Sequence, residues 1–478
     1  MATNLAESSL PDSGRSGVSP AWIGATGFVL ITLLTLLLHL GVLLNYLYPV
    51  LALALGIWLF RCYPVFYLGY AWWLWFLTPE VRRLVDFQVG WQPITPIMLA
   101  PYLVTGLTFF TLFIHLPKIR QRWLFPLGLA MAGVLYGYLS GFLQSGPVAA
   151  SYGLLSWGIP IAFAFHMALR WEEYAANRHA IHRAFAWGVL IMGSYGLLQF
   201  LAPPAWDRFW MLNVPMNTIG QPAPFEVRVY STMNSPGPFA VYIMSGLLLL
   251  FAPGGGLRLP ASVFGYVALL LSLVRSAWGG WLVGMIYLLA RVPSRQVLRI
   301  ILSALVIFVI SLPLLSIGPI ANQVERRFDS IQNLEQNQSY QARSAFYDRF
   351  WETAITTLWG TGLGSTGMAT KLQSDQPGEG DQQRFMHFDS GIMNIPFVLG
   401  WPGSLLYFLG SGGVLFYLLR ARSQRADPWL TSEVAVALAV FSQLPFVNTL
   451  IGEVGMIFWG FAGLALAGTR FYSEREEI

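Results

Sequence analysis

Apolar runs long enough to cross a bilayer recur along almost the whole chain, separated by short basic clusters, and one long polar stretch, Pro319 to Asp389, interrupts them. A bilayer core of about 30 Å needs about 20 apolar residues per helix. Backbone polar groups in lipid must find partners within the protein, so runs of this kind fold as helices. Composition agrees: 55% of residues are hydrophobic and 11% charged, where soluble domains carry roughly 25% charged residues. Mean hydropathy is +0.56. The spacing predicts spans near 22–40, 43–60, 63–79, 95–116, 124–143, 148–169, 184–202, 237–253, 260–274, 277–290, 298–316, 402–420, 431–447 and 452–469. The expected fold is an all-α polytopic membrane protein of about 12 to 14 transmembrane helices with a large extracytoplasmic loop containing an amphipathic helix.

Residues 1–20, rich in Ser, Gly and Pro, are expected to form a disordered cytoplasmic tail, residues 21–470 a single transmembrane domain, and 471–478 a second cytoplasmic tail. The net charge of +5 and pI near 9.3 do not indicate nucleic acid, because Lys and Arg fall between spans. Short cytoplasmic loops should hold the excess of them. A cytoplasmic N-terminus puts Arg61, Lys118, Arg120, Arg122, Arg170, Arg178, Arg183, Arg258, Arg291, Arg295, Arg299, Arg420, Arg422 and Arg425 inside, with the C-terminal Arg470 and Arg475. Arg82 and Arg83 are the exception. The polar loops 203–237 and 319–389 then face outward, where cytoplasmic nucleotides do not reach, so a donor must arrive already activated. The single cysteine, Cys62, excludes an intrachain disulfide and a multi-thiolate metal site.

Within the long loop, Ser339 to Gly360 has helical periodicity: Phe346, Tyr347, Phe350, Trp351, Ala354 and Leu358 share one face, opposite Asp348, Arg349 and Glu352. Arg343 falls inside the apolar arc, where a guanidinium needs an anion or another acceptor. A glycine turn, Gly360 to Gly367, follows, and His387 and Asp389 come just before the chain turns apolar again. Three further features are expected at the same membrane face. Arg228 lies in the loop Glu226 to Phe239. Arg275 interrupts the apolar run around Leu271 to Gly284 and is expected at the tip of two short helices, although a helix-end arginine also snorkels to headgroups. Asn448 and Glu453 flank the last outer turn, where Glu453 reads first as an interfacial residue and a role in the site is the alternative.

From about Arg228 to Gly403 the chain resembles the O-antigen ligase and polymerase superfamily of bacterial envelope glycosyltransferases. The shared pattern comprises Arg275-Ser-Ala-Trp278, the helix starting at Arg343 with Gly362 and Gly364 after it, and His387 ahead of the Gly400-Trp-Pro-Gly403 turn. Ser276 replaces the usual glycine, and Phe388 the frequent asparagine. The resemblance implies a catalytic set of Arg275, Arg343 and His387. Their place at the same face makes Arg228, Asp389 and Glu453 substrate-binding candidates, with Asp389 either orienting the imidazole or a solvated loop acid. The resemblance further implies a polyprenyl-pyrophosphate-linked glycan as donor, an acceptor glycan or lipid, no cofactor and no metal, and residence in the bacterial plasma membrane with the active site on the periplasmic side. Arginines neutralise a pyrophosphate leaving group, and an imidazole near neutrality suits a general base.

Gly362 to Gly367 matches the dinucleotide fingerprint but follows a helical pattern instead of a strand. His179 and His182 are expected to be solvated in a charged loop, and His39, His115 and His166 to pack at span ends or interiors. The competing class is a bicarbonate-like solute transporter, which would call for midplane ionisable residues and repeats; the spans hold almost no carboxylates and show no repeat.

Overall fold

The computed structural model describes residues 19–216, 218–253, 255–291, 358–372, 390–421 and 427–476. Among them the elements are helices, with one isolated bridge between Gly220 and Val227. In order they are α1 (Pro20–Leu37), α2 (Gly41–Cys62), α3 (Pro64–Val89), α4 (Leu99–Gly106), α5 (Thr108–Ile114), α6 (Phe125–Gln144), α7 (Pro147–Leu169) and α8 (Tyr174–Leu201). There follow α9 (Ala205–Asn213), α10 (Pro236–Leu249), α11 (Arg258–Leu271), α12 (Arg275–Arg291), α13 (Gly391–Arg420), α14 (Pro428–Phe441) and α15 (Gly452–Glu476).

Among the described residues, 8 helical stretches are long and apolar enough to cross a membrane, and α10, α11 and α14 are shorter apolar helices. The expected spans therefore have their helices; the one near 298–316 lies outside the described residues. The apolar window of α15 is 94% buried and that of α1 only 22%. The bundle thus packs around α15, and α1 is left at the lipid-facing rim. Small residues permit this close packing, as is usual between membrane helices: a Cβ on Gly463 would lie 2.5 Å from the Ala164 backbone in α7.

Alternating helix directions give the bundle two chemically different ends. At one end, Phe225 N donates to Phe200 O (2.8 Å), Val229 N to Leu271 O (3.1 Å), Gly391 N to Leu444 O (3.0 Å) and Tyr242 Oη to Glu453 O (2.9 Å). At the other, Arg258 donates to Leu250 O, Arg291 to Leu419 O, and Arg178 pairs with Asp427 at 2.5 Å.

The basic stretch before α8 differs from expectation. The helix already starts at Tyr174, so the sequence there is not a loop, and His182 turns into the bundle with 6% exposure. Its Nε2 lies 3.2 Å from Glu433 Oε1, and Tyr174 Oη donates to the other carboxylate oxygen at 3.1 Å. His182 is thus not solvated, whereas His179 is exposed. His166 packs as expected, with Nδ1 2.8 Å from Thr111 Oγ1.

The most consequential local structure is in α13, which breaks at Gly400 (φ +62°) just ahead of Pro402. Pro402 has no N–H, so the carbonyl of Val398, four residues earlier, loses its helical donor. Gly362 N supplies one at 2.9 Å. Trp401 N is diverted to Leu358 O, and the carbonyl it abandons, Phe397 O, is taken by Thr361 N (both 2.9 Å). Residues 360–363 thus run into the bundle against α13, α6 and α7, behind the exposed Leu358 and Trp359, and Leu363 N bonds Gly137 O at 2.8 Å. The glycine run, expected as a turn within the long loop, packs here against the helices, and Leu363 is fully buried.

Gly362 sits at φ +78°, and a Cβ there would lie 2.1 Å from Gly141 N. Gly362→Ala combines left-handed strain with a backbone clash, a penalty of about 2–5 kcal/mol. Heating detergent-solubilised protein and following its monodisperse fraction by size-exclusion chromatography should show a clear loss for Gly362→Ala. Gly412→Ala, in helical backbone with open space around it, should behave as the parent.

Candidate active site

Helices α11 and α12 meet through Ser272, Leu273 and Val274. Leu273 adopts φ +56°, the Ser272 hydroxyl donates to Leu269 O at 2.6 Å, and the Trp278 indole closes onto the same carbonyl at 3.1 Å. This turn places Arg275 at the first position of α12, half-buried. The positive end of the helix dipole lies there, so a guanidinium adds to an environment that already favours anions.

Arg228 braces this turn from below. Its Nε donates to Ser272 O (3.3 Å), Nη2 to Leu273 O (3.2 Å) and Nη1 to Thr218 O (2.8 Å). The first two carbonyls end α11, where helical donors run out, and an arginine is a suitable replacement. The structure therefore brings Arg228 to the loop that presents Arg275, with its guanidinium directed at backbone oxygens.

The segment carrying Arg228 is held by an ion cluster that sequence reasoning missed. Arg83 is fully buried and reaches Asp207 (3.3 Å), Glu80 and the carbonyls of Met233 (2.6 Å) and Ser231. Its guanidinium also stacks 4.8 Å from the Tyr230 ring. Asp207 accepts from Tyr195 Oη (2.9 Å) and Gln199 Nε2 (2.7 Å), while Gln199 Oε1 accepts the backbone N–H groups of Tyr230 (3.0 Å) and Ser231 (2.9 Å). Arg82 pairs with Asp86 at 3.3 Å and lies 4.9 Å from the Trp210 ring. The signal was present: Arg82 and Arg83 broke the charge rule, with Glu80 and Asp86 at helical spacing beside them.

Glu453 begins α15 at the same end of the bundle, half-buried. Arg343, His387 and Asp389 lie outside the described residues. In sequence His387 immediately precedes the stretch that starts α13 at this end, and Arg343 precedes the segment locked into its kink.

Residues 260–408 match the family model described as O-antigen ligase. That match supports the O-antigen ligase and polymerase superfamily for this region of the chain. No curated protein matches the chain. The O-antigen ligase region starts in α11 and ends within α13, so it takes in the turn with Arg275, the re-entrant glycine segment and the kink that receives it. Arg343 and His387 fall inside it by number, while Arg228 and Glu453 fall outside. The match supports a membrane glycosyltransferase of O-antigen ligase or polymerase type, and nothing in it favours a transporter.

Removing one partner of a buried, hydrogen-bonded ion pair typically costs about 3–5 kcal/mol. Arg83→Met should accordingly lower thermal stability strongly and abolish transfer together with it. Arg275→Lys should retain the parental melting profile, which separates support from chemistry in one thermal-shift series.

Proposed function

We propose that the protein moves or polymerises a glycan from a polyprenyl-pyrophosphate donor onto an acceptor hydroxyl at the outer face of the bacterial plasma membrane. The observation that carries this reading is Arg275 at the head of α12, in a turn whose carbonyls Arg228 already occupies. Arginine and helix dipole converge there on a site suited to a multiply charged anion. Arg275 and Arg343 bind the pyrophosphate, His387 acts as general base, and Asp389 orients the imidazole. Arg228 holds the donor-binding turn, and Glu453 meets the sugar.

In the reaction the acceptor oxygen bonds to the anomeric carbon, whose bond to the phosphate oxygen breaks. The electron pair leaves with the polyprenyl pyrophosphate, neutralised by the two guanidiniums, and the acceptor proton passes to His387. Arginines supply the electrophilic assistance, so transfer proceeds without a metal and survives a chelator.

Reconstitution with a defined polyprenyl-pyrophosphate glycan and candidate acceptors, with products weighed by mass spectrometry, tests the reading. Lysine keeps the charge and loses the planar fork, so Arg275→Lys and Arg343→Lys should abolish most product. His387→Ala should lose about 100 to 10,000-fold in turnover and keep donor affinity. The parental rate should climb with pH through the imidazole's range, about 6.5 if unperturbed, because only the neutral ring accepts a proton; that limb should vanish in His387→Ala. Parental rates in either lysine variant would reduce the arginines to structural parts.

Orientation is tested separately. In a Cys62-free background, cysteines replacing Gln341 and Gln373 should react with an impermeant thiol reagent added outside, and one replacing Gln424 should not. The reverse pattern would place the site on the cytoplasmic side.

A further inference from the structure

We propose that the turn joining α14 to α15, together with the first turn of α13, forms a subsite for sugar hydroxyls, with Asn394, Asn448 and Glu453 as its acceptors. The proposal rests on the glycosyl-transfer reading and assigns to it the residues that recognise the sugar instead of the pyrophosphate.

Ser390 and Asn394 are 6% and 3% exposed. They stand one turn apart on α13, since Asn394 N donates to Ser390 O at 3.0 Å. Neither Ser390 Oγ nor Asn394 Oδ1 has a hydrogen-bond partner among the described residues. Between them, Gly391 N is bonded to Leu444 O, and a Cβ on Gly391 would lie 3.3 Å from Asn448 Oδ1. The Asn448 amide oxygen therefore borders the same turn, and it too is buried without a partner, as is the neighbouring Thr449 hydroxyl.

The same connection ends at Glu453, whose backbone carbonyl is held by Tyr242. Among the described residues no hydrogen bond or ion pair engages its carboxylate, which sits within electrostatic reach of Tyr102, Tyr152 and Tyr242. Buried polar oxygens normally have partners, so a group of them at one end of a bundle calls for a ligand that donates.

The chemistry narrows that ligand. A phosphate offers acceptors only and is repelled by Glu453; an isoprenoid chain offers nothing. A pyranose presents several hydroxyls, each able to donate to an amide or carboxylate oxygen and to accept from an amide N–H. The bundle end thereby divides into a donor-rich part at Arg275 and an acceptor-rich part at Ser390, Asn394, Asn448 and Glu453. The sugar is that of the donor or that of the acceptor; the chemistry is shared.

The test uses full-length protein in nanodiscs and two probes, undecaprenyl pyrophosphate and the same lipid bearing one N-acetylhexosamine. The parent should bind the sugar-bearing lipid more tightly, and Asn448→Leu or Glu453→Leu should weaken that binding about tenfold, as expected for one lost net hydrogen bond of about 1.4 kcal/mol. The sugar-free lipid should be unaffected, and Asn448→Asp, which keeps an acceptor oxygen, should retain binding. In transfer assays a raised KM for the donor assigns the subsite to the donor sugar, and a raised KM for the acceptor glycan assigns it to the acceptor. Equal weakening of both lipids, or no change in either affinity or either KM, overturns the proposal in favour of water-filled packing. If the parent binds neither lipid, the glycosyl-transfer reading fails. Titration with a soluble N-acetylhexosamine trisaccharide then decides the subsite: binding lost in Asn448→Leu supports it, and absence of binding to the parent removes it.

Discussion

The exchange of backbone hydrogen bonds at the α13 kink governs how the rest of the molecule can be arranged. Non-helical backbone is tolerated at membrane depth only where protein satisfies it. Gly400 and Pro402 strip α13 of its regular donors, and residues 358–363 have no internal partners of their own. Each defect supplies what the other lacks, through Gly362 N to Val398 O, Thr361 N to Phe397 O and Trp401 N to Leu358 O. Neither would be stable alone in an apolar setting, so the two form as a unit. Glycines on α6 and α7 are the steric condition for it: a Cβ on Gly141 would fall 2.1 Å from Leu363 O.

A second constraint acts at the same end of the bundle. The ion cluster around Arg83 is buried, and burying charge is affordable only with near-complete pairing. Here the guanidinium is met by Glu80, Asp207 and two carbonyls, and Asp207 by Tyr195 and Gln199. The result is a loop between α9 and α10 that is held by these contacts from Tyr230 to Met233 and delivers Arg228 to the α11–α12 turn. Arg275 is thus positioned through three layers: the cluster fixes the loop, the loop brings Arg228, and Arg228 caps the carbonyls next to Arg275. The opposite end uses a comparable device, with Tyr174, His182 and Glu433 linking α8 to α14.

The spans, their alternating directions and the position of Arg275 between two short helices were legible because lipid imposes a length and an apolarity that a sequence displays directly. The family resemblance was legible for a related reason, since it rests on short motifs placed within that pattern; the O-antigen ligase match at 260–408 overlaps the region that carries it. The role of Arg82 and Arg83 was not, because a charge pair at a helix end looks the same whether lipid, water or carboxylates from distant helices surround it. His182 was misread for the same reason: its partner Glu433 lies far along the chain, and only packing brings them together.

By itself the sequence determined that this chain is a helical membrane protein and where apolar spans run, because both follow from local composition and spacing. Tertiary structure decided what those local features are used for. It turned a glycine run that reads as a nucleotide fingerprint or an outer turn into the buried partner of a broken helix. It turned Arg228 into a brace and gathered Asn394, Asn448 and Glu453 at one end of the bundle. The physical reason is that hydrogen-bond and charge satisfaction in a membrane is a long-range account, closed between residues that no sequence window contains.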